Sequence, residues 1–267
     1  MDIQQYIAAD KELLLNLNGS QSLFWDGFMW VATSTIVWVP VAAMLLYIII
    51  KNNRHYKIFC VNGNTRLISE SRISIYTKFW TVSNNKIQEA LLTIVMIALV
   101  ITLADQIASG LCKPFFARFR PTQDPNIMYM VDIVNGYRGG RFGFISSHAA
   151  NTFAISVFLS LLIKRKSLTF MLLFWAVLNS YSRIYLGVHY PGDILFGTIE
   201  GCFIGYLIYL LYKFIQKKIF YKPRCISNQY TASGYLISDI NLFYIILIST
   251  YFFIIIAGMI VTHTLNL

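Results

Sequence analysis

A histidine and an aspartate four residues apart, His189 and Asp193, have the types and spacing for nucleophilic catalysis. Pro191 lies between them, and because proline is favoured at the first position of a helix, Asp193 is expected in the first helical turn. From there its carboxylate can accept a hydrogen bond from one ring nitrogen of His189. The other ring nitrogen would then be unprotonated and available as a nucleophile.

Lys113 and Arg120 are candidates for binding an anion. They are seven residues apart, about 20° short of two full helical turns, so a helix would present both on one face. No acidic residue lies between them, and two such cations suit a phosphate group. Pro114 argues against a uniform helix. A basic edge whose side chains extend to the membrane surface is the alternative interpretation.

Two further polar groups lie at the ends of apolar runs. Ser146 and Ser147 precede His148, and serine at a helix start is a good N-cap. The free backbone N–H groups of that turn and the helix dipole favour a bound anion. Ser182 and Arg183 stand near the end of the next run, where a charge is costly unless it is paired or faces water.

These residues interrupt a chain that is otherwise very apolar. Of its 267 residues, 57% are hydrophobic and 13% charged, and that charged fraction is about half the usual soluble value. A soluble domain, a disordered chain, collagen and a coiled coil are therefore excluded. Because a membrane span needs roughly 20 apolar residues, the apolar runs predict six spans. They cover residues 28–50, 90–111, 149–163, 168–188, 194–212 and 242–261.

The predicted fold is an all-α, polytopic membrane helix bundle of about six transmembrane helices, forming one domain over residues 1–267. Segment 7–17 is too short and too charged to span a membrane, so it is predicted to be a helix lying in the interface. The four cysteines are scattered without a CxxC pair, so neither a metal site nor a disulfide framework is expected.

The distribution of lysine and arginine predicts the orientation. With six spans, one set of connections (51–89, 164–167 and 213–241) carries fifteen of these residues and the other set carries seven. The richer side is expected in the cytoplasm, which leaves both termini and segment 112–148 facing outward. The net charge of +10 is therefore attributed to topology and lipid headgroups, and no nucleic-acid partner is expected.

Asp105 and Glu200 lie within predicted spans. Carboxylates inside a membrane can be proton-relay or transport residues, or they can pair with a nearby cation. Support or pairing is the preferred interpretation for both.

The order K-x6-R-P, S-x-H and S-R-x5-H-x3-D resembles the type 2 phosphatidic acid phosphatase superfamily. The motif core covers residues 113–193 and is carried by Lys113, Arg120, Pro121, Ser146, His148, Ser182, Arg183, His189 and Asp193. The third motif is the most specific. The second departs from the usual P-S-G-H, since Ile145 and Ser147 replace the proline and glycine. Serine there narrows the backbone choices of an anion-binding turn.

The resemblance implies a phosphatase with a phosphohistidine intermediate, needing no metal or other cofactor. His189 is then the nucleophile, Asp193 its partner and His148 the general acid and base. The phosphate-binding groups are Lys113, Arg120, Arg183, Ser146, Ser147 and Ser182.

A site at the outward membrane surface favours a membrane lipid phosphate or diphosphate. Lipid A phosphates and undecaprenyl diphosphate are the first candidates, with phosphatidylglycerophosphate beside them. Segment 122–145 is expected to shape that choice, and Arg138 and Arg141 to hold a second phosphate or lipid headgroups. In a bacterium the protein would lie in the inner membrane with its site facing the periplasm. A lipid phosphotransferase with the same site and a non-enzymatic lipid or ion transporter are the alternatives.

Overall fold

A computed structural model describes residues 3–52, 59–61, 64–66, 76–219 and 231–265. The regular secondary structure of the described residues is helical apart from a small antiparallel hairpin, whose strands are β1 (Phe59–Val61) and β2 (Asn64–Arg66). The main helices are α1 (Ile3–Leu17), α2 (Leu23–Thr33), α3 (Val39–Asn52), α4 (Tyr76–Asp105), α5 (Lys113–Phe116), α6 (Ser147–Ile163), α7 (Lys166–Tyr185), α8 (Pro191–Ile219) and α9 (Ile237–Leu265). The all-α prediction is thus confirmed.

The first predicted span is bent. Helices α2 and α3, separated by a 3-10 turn (Thr35–Trp38), meet at 63°. The break falls at Ser34, whose backbone is extended, and Pro40 lies in the first turn of α3. Proline is tolerated there because the first helical N–H groups have no partner within the helix.

Within the described residues, three helical stretches are long and apolar enough to cross a membrane by themselves. They are Ile87–Phe116, Pro191–Ile219 and Ile237–Thr262, and the bent pair α2–α3 makes a fourth candidate. Helix α6 has 17 residues, which is short for a span. The structure therefore supports a membrane helix bundle, while the count of six spans stays a prediction. Much of segments 51–89 and 213–241, which govern the predicted orientation, lies outside the described residues.

Helix α6 is central to the bundle and packs against α4, α7 and α8. Its contact with α8 is close because three glycines of α8, Gly197, Gly201 and Gly205, lie against backbone carbonyls of α6. Small residues at four-residue spacing let two membrane helices approach each other in this way. This packing brings the start of α6 and the start of α8 to the same end of the bundle.

Helix α1 docks on that same end. Leu14 is 0% exposed and packs with Ile127, Val131, Ile184 and Tyr190. A helix therefore covers segment 7–17, and it lies against Ile127, Val131 and the α7–α8 turn. Its predicted location in the membrane interface stays a prediction.

Candidate active site

The α7–α8 turn holds His189 and Asp193 together and away from solvent. His189 is 1% exposed and Asp193 0%, and Nδ1 of the histidine lies 3.5 Å from Oδ2 of the aspartate. That separation exceeds an ordinary hydrogen bond, which ends near 3.2 Å. The same carboxylate oxygen accepts the backbone N–H of Tyr190 at 3.0 Å. The aspartate is therefore fixed in the first turn of α8, facing the imidazole.

Burial lowers the pKa of His189 well below its ordinary value of 6.5. The nearby charges of Arg120, Arg183 and Lys113 lower the pKa further, and a backbone hydrogen bond with Gly143 opposes them. Burial and like charges both disfavour the protonated ring, so the imidazole is neutral at physiological pH. A neutral imidazole is the form that can act as a nucleophile.

Arg120 reaches the site through a turn. Helix α5 ends at Phe116 and Ala117 is left-handed, with φ of 45°. The chain then runs back along segment 141–143, where the N–H of Arg120 donates to the Arg141 carbonyl and that of Gly143 to the Arg118 carbonyl. The prediction that Lys113 and Arg120 share one helical face is therefore wrong, because the helix ends between them.

The guanidinium groups of Arg120 and Arg183 each keep one buried nitrogen without a partner among the described residues. Arg120 donates from Nε to the Phe142 carbonyl at 3.1 Å, and its Nη1 has no partner. Arg183 is 3% exposed and donates to Thr33 at 2.8 Å and to Tyr137 at 3.2 Å, while its Nε has no partner. Buried donors without partners are rare in native proteins and call for an explanation.

Lys113 is held by a line of side chains along a π-helical segment (Gln106–Cys112). Its ammonium donates to Ser109 at 2.9 Å and to Ser147 at 3.2 Å, and Ser109 donates to Asp105 at 3.3 Å. Asp105 therefore supports Lys113, as preferred from the sequence. Both carboxylate oxygens of Glu200 are buried without a hydrogen-bond partner in the described part of the chain, so its predicted pairing is not found.

The serines of the motifs have protein partners. Ser146 is the N-cap of α6: its hydroxyl accepts the Ala149 N–H at 3.5 Å, and its own N–H donates to the Asp193 carbonyl. The hydroxyl of Ser182 donates to the Asn179 carbonyl at 2.7 Å inside α7. Of the three predicted serines, Ser147 is the one whose hydroxyl contacts a cation of the cluster.

His148 and the two loop arginines take different positions. His148 lies in the first turn of α6, where the charges of Arg183, His189, Lys113 and Arg120 act on it. Arg138 and Arg141 are on the exposed loop outside the cluster. Arg138 donates to the Thr122 carbonyl at 3.3 Å, and Arg141 lies 5.3 Å from the ring centroids of Phe119 and Phe142.

Several groups that shape the site were not among the predicted residues. Arg118 donates to Asp193 at 2.8 Å and to Asp10 at 2.7 Å, and Thr33 and Tyr137 hold Arg183. One indication for Arg118 is present in the sequence, where it is a third cation and lies between Lys113 and Arg120. The glycine spacing of α8 was also visible in the sequence. No local sequence pattern pointed to Asp10 or Thr33. Tyr137 belongs to segment 122–145, which was expected to shape the choice of substrate, but its contact with Arg183 was not predicted.

A family model described as the PAP2 superfamily matches residues 94–217, which include the whole motif core. A lipid A 4'-phosphatase of Bacteroides thetaiotaomicron is 41% identical over 203 residues, covering 76% of this chain and 76% of that protein. The chain belongs to the PAP2 superfamily. The resemblance stated from the motifs is thereby confirmed, and the protein is an integral-membrane lipid phosphatase.

Two further PAP2 relatives have related activities in their names. A lipid A 4'-phosphatase of Porphyromonas gingivalis is 30% identical over 216 residues, covering 81% of this chain and 78% of that protein. An undecaprenyl-diphosphatase of Sulfolobus acidocaldarius is 32% identical over 114 residues, covering 42% of this chain and 52% of that protein. The longer matches are thus to enzymes named for lipid A.

Proposed function

We propose that this PAP2 protein removes a phosphate from the headgroup of lipid A or a similar phosphorylated glycolipid, through a phosphohistidine formed on His189. One observation carries the proposal: Arg120 and Arg183, whose charges act on the buried, neutral imidazole of His189, each keep a buried N–H group without a partner among the described residues. A bound phosphate supplies the acceptors that these donors lack, and guanidinium–phosphate bonds are among the strongest hydrogen bonds in proteins.

In the first step His189 attacks phosphorus through Nε2, because its Nδ1 faces Asp193. A P–N bond forms as the P–O bond to the lipid breaks, and the bonding pair leaves on the lipid oxygen. His148 gives that oxygen a proton. Lys113, Arg120 and Arg183 hold the three equatorial oxygens and offset the charge that builds on them in the transition state.

In the second step a water attacks the phosphohistidine. His148 takes a proton from this water, the P–N bond breaks, and the electron pair returns to Nε2 of His189. Inorganic phosphate leaves and the resting site is restored. Asp193, whose Oδ2 lies 3.5 Å from Nδ1 in this structure, closes to hydrogen-bond distance in the substrate complex, where it holds the proton on Nδ1 and stabilises the ring while it carries positive charge.

The protonation of His148 depends on the substrate. Burial, and after it the charges of Arg183, His189, Lys113 and Arg120, lower the pKa of His148 from 6.5 to about 3, because both disfavour a protonated imidazole. A bound phosphate dianion offsets the repulsion from the cations. The pKa of His148 therefore rises when the substrate is in place, which is the direction that a general acid needs.

A bisphosphorylated glycolipid also suits the loop beside the site. Arg138 and Arg141 are exposed there, and their charges would favour a second phosphate. Undecaprenyl diphosphate is the second candidate, favoured by the shorter match to an undecaprenyl-diphosphatase. The two long matches to lipid A 4'-phosphatases support lipid A as the first candidate.

The proposed orientation in the membrane follows from the number of lysines and arginines on each side. We propose six spans in one domain, with the site at the outward, periplasmic face of a bacterial inner membrane. The fifteen lysines and arginines assigned to the opposite connections support this orientation. There the headgroup of an amphiphile reaches the site while its acyl chains stay in the bilayer.

The test is phosphate release by the purified protein in EDTA from a panel of lipid mono- and diphosphates, with the products identified by mass. We expect release from lipid A, inhibition by vanadate, and no turnover by His189→Ala. His148→Ala should lose about 10²–10⁴-fold and so keep more activity than His189→Ala, because general acid–base help has that magnitude.

The same assay separates the alternatives. Wild-type turnover by His189→Ala would refute the nucleophile. A product lipid heavier by one phosphate would indicate a phosphotransferase, and an absence of release from every lipid phosphate would favour a transporter.

A further inference from the structure

We infer that Arg118 is a positioning residue for Asp193 and that helix α1 belongs to the active site through Asp10. The inference rests on the proposed function, in which Asp193 orients His189. Nη1 of Arg118 donates to Oδ1 of Asp193 at 2.8 Å, and Nη2 donates to Oδ2 of Asp10 at 2.7 Å. One planar guanidinium thus bridges two carboxylates, a geometry that arginine provides and lysine does not.

The two oxygens of Asp193 have different tasks. Oδ2 accepts the Tyr190 N–H and faces Nδ1 of His189, while Oδ1 receives the bond from Arg118. Asp193 is 0% exposed. Without Arg118, a buried oxygen loses its charged donor and the carboxylate can rotate about its Cβ–Cγ bond. That rotation would move the oxygen that faces the nucleophile.

Asp10 fixes Arg118 from the other side. Its Oδ1 accepts the backbone N–H of Gly192 at 2.7 Å, in the first turn of α8, while its Oδ2 holds Arg118. The guanidinium carbon also lies 4.0 Å from the ring centroid of Tyr190, next to the nucleophile in the chain. Helix α1 is therefore joined to the His189 turn both directly and through Arg118.

Arg118 differs in kind from the cations proposed to bind phosphate. Its charge is balanced by two carboxylates, whereas Arg120 and Arg183 keep unpartnered N–H groups. It therefore acts through Asp193 and makes no contact with the substrate.

The test is a double-mutant cycle on phosphate release from lipid A. We expect Arg118→Ala to lower kcat about 10²-fold with little change in KM, since a misplaced catalytic group costs about that much. In the Asp193→Asn background the same change should cost less than about threefold, because residues that act as a unit are not additive. Asp10→Asn should give a smaller loss that disappears when Arg118 is already alanine.

Lys11→Ala is the matched control. Lys11 neighbours Asp10 on α1 and forms an ion pair of the same length, 2.7 Å, with Asp124. If α1 matters only for folding, Lys11→Ala and Asp10→Asn should cost the same; we expect kcat of Lys11→Ala within about threefold of wild type.

Each outcome decides the inference. Equal losses for Arg118→Ala in the wild-type and Asp193→Asn backgrounds would overturn it, as would a change confined to KM. If Arg118→Ala does not fold, Arg118→Lys and Asp10→Asn carry the test, with Tm as the folding check; wild-type kcat in both refutes the inference. Activity retained by His189→Ala would instead refute the proposed function.

Discussion

The glycine contact between α6 and α8 gives a prediction whose size follows from the coordinates. A Cβ added at Gly201 would lie 2.2 Å from the carbonyl oxygen of Ala150. That oxygen belongs to helix backbone, so it cannot rotate away. To reach an ordinary contact of 3.4 Å, the two helices must separate by about 1.2 Å at this level.

Such a separation would displace catalytic groups relative to one another, because each of the two helices holds part of the site. Helix α6 begins with Ser147 and His148. Asp193 lies in the first turn of α8, about two helical turns before Gly201. A displacement of about 1 Å can cost about 10²-fold in rate. We therefore expect Gly201→Ala to lower kcat by about 10²-fold. Overpacking costs about 1–3 kcal/mol, offset in part by the roughly 0.5–1 kcal/mol that alanine gains over glycine in a helix.

The assay is phosphate release from lipid A by the purified variant, with its Tm measured in the same detergent. Gly110→Ala is the matched control, because the added Cβ would meet the flexible end of Gln106, at 3.1 Å, instead of backbone. It gains the same helix propensity and should keep wild-type activity. Wild-type kcat and Tm in Gly201→Ala would refute the close helix contact on which the reasoning depends.

Two other predictions concern the charges of the site. Because the pKa of His189 lies well below 6.5, the nucleophile becomes protonated only as the pH falls through that lower value. The acidic limb of kcat/KM, corrected for the substrate phosphate with its pKa of about 6, should therefore lie below pH 6.5; a limb at or above 6.5 would contradict the burial argument. Ser109→Ala removes the hydroxyl between Asp105 and Lys113, and a lost hydrogen bond of about 0.5–1.5 kcal/mol should lower kcat/KM about 2- to 10-fold, because Lys113 is proposed to hold the phosphate in both the ground state and the transition state. An unchanged kcat/KM would show that Asp105 does not support Lys113.

Much of the helical framework could be predicted from hydropathy. The apolar runs 90–111, 149–163, 194–212 and 242–261 fall within helices of the structure, and the run 168–188 does so except for its last three residues, which lie in the α7–α8 turn. Burial of apolar side chains in lipid or core dominates at those positions. The bend at Ser34 could not be predicted. Proline favours a kink at Pro40, but the helix breaks six residues earlier, at Ser34.

The site, too, could be predicted from the sequence only in part. The motif residues could be selected from their types and spacing, since phosphate chemistry needs cations and imidazoles in any fold. The charges of Lys113 and Arg120 both act on His189, but no continuous helix presents these two side chains on one face. Instead, Ala117 is left-handed and segment 118–120 pairs with segment 141–143. Left-handed alanine has no sequence signature, because its cost is met by contacts elsewhere.

The amino-acid sequence by itself determined that this is a helical membrane protein and which residue types supply its phosphate chemistry. Those properties depend on composition and on patterns within a few helical turns. Only the tertiary structure decided which groups hold the catalytic pair in place. Arg118 meets Asp193 across 75 positions in the chain, and Asp10 meets Gly192 across 182. Contacts between such distant positions arise from the packing of whole helices, and no local pattern records them.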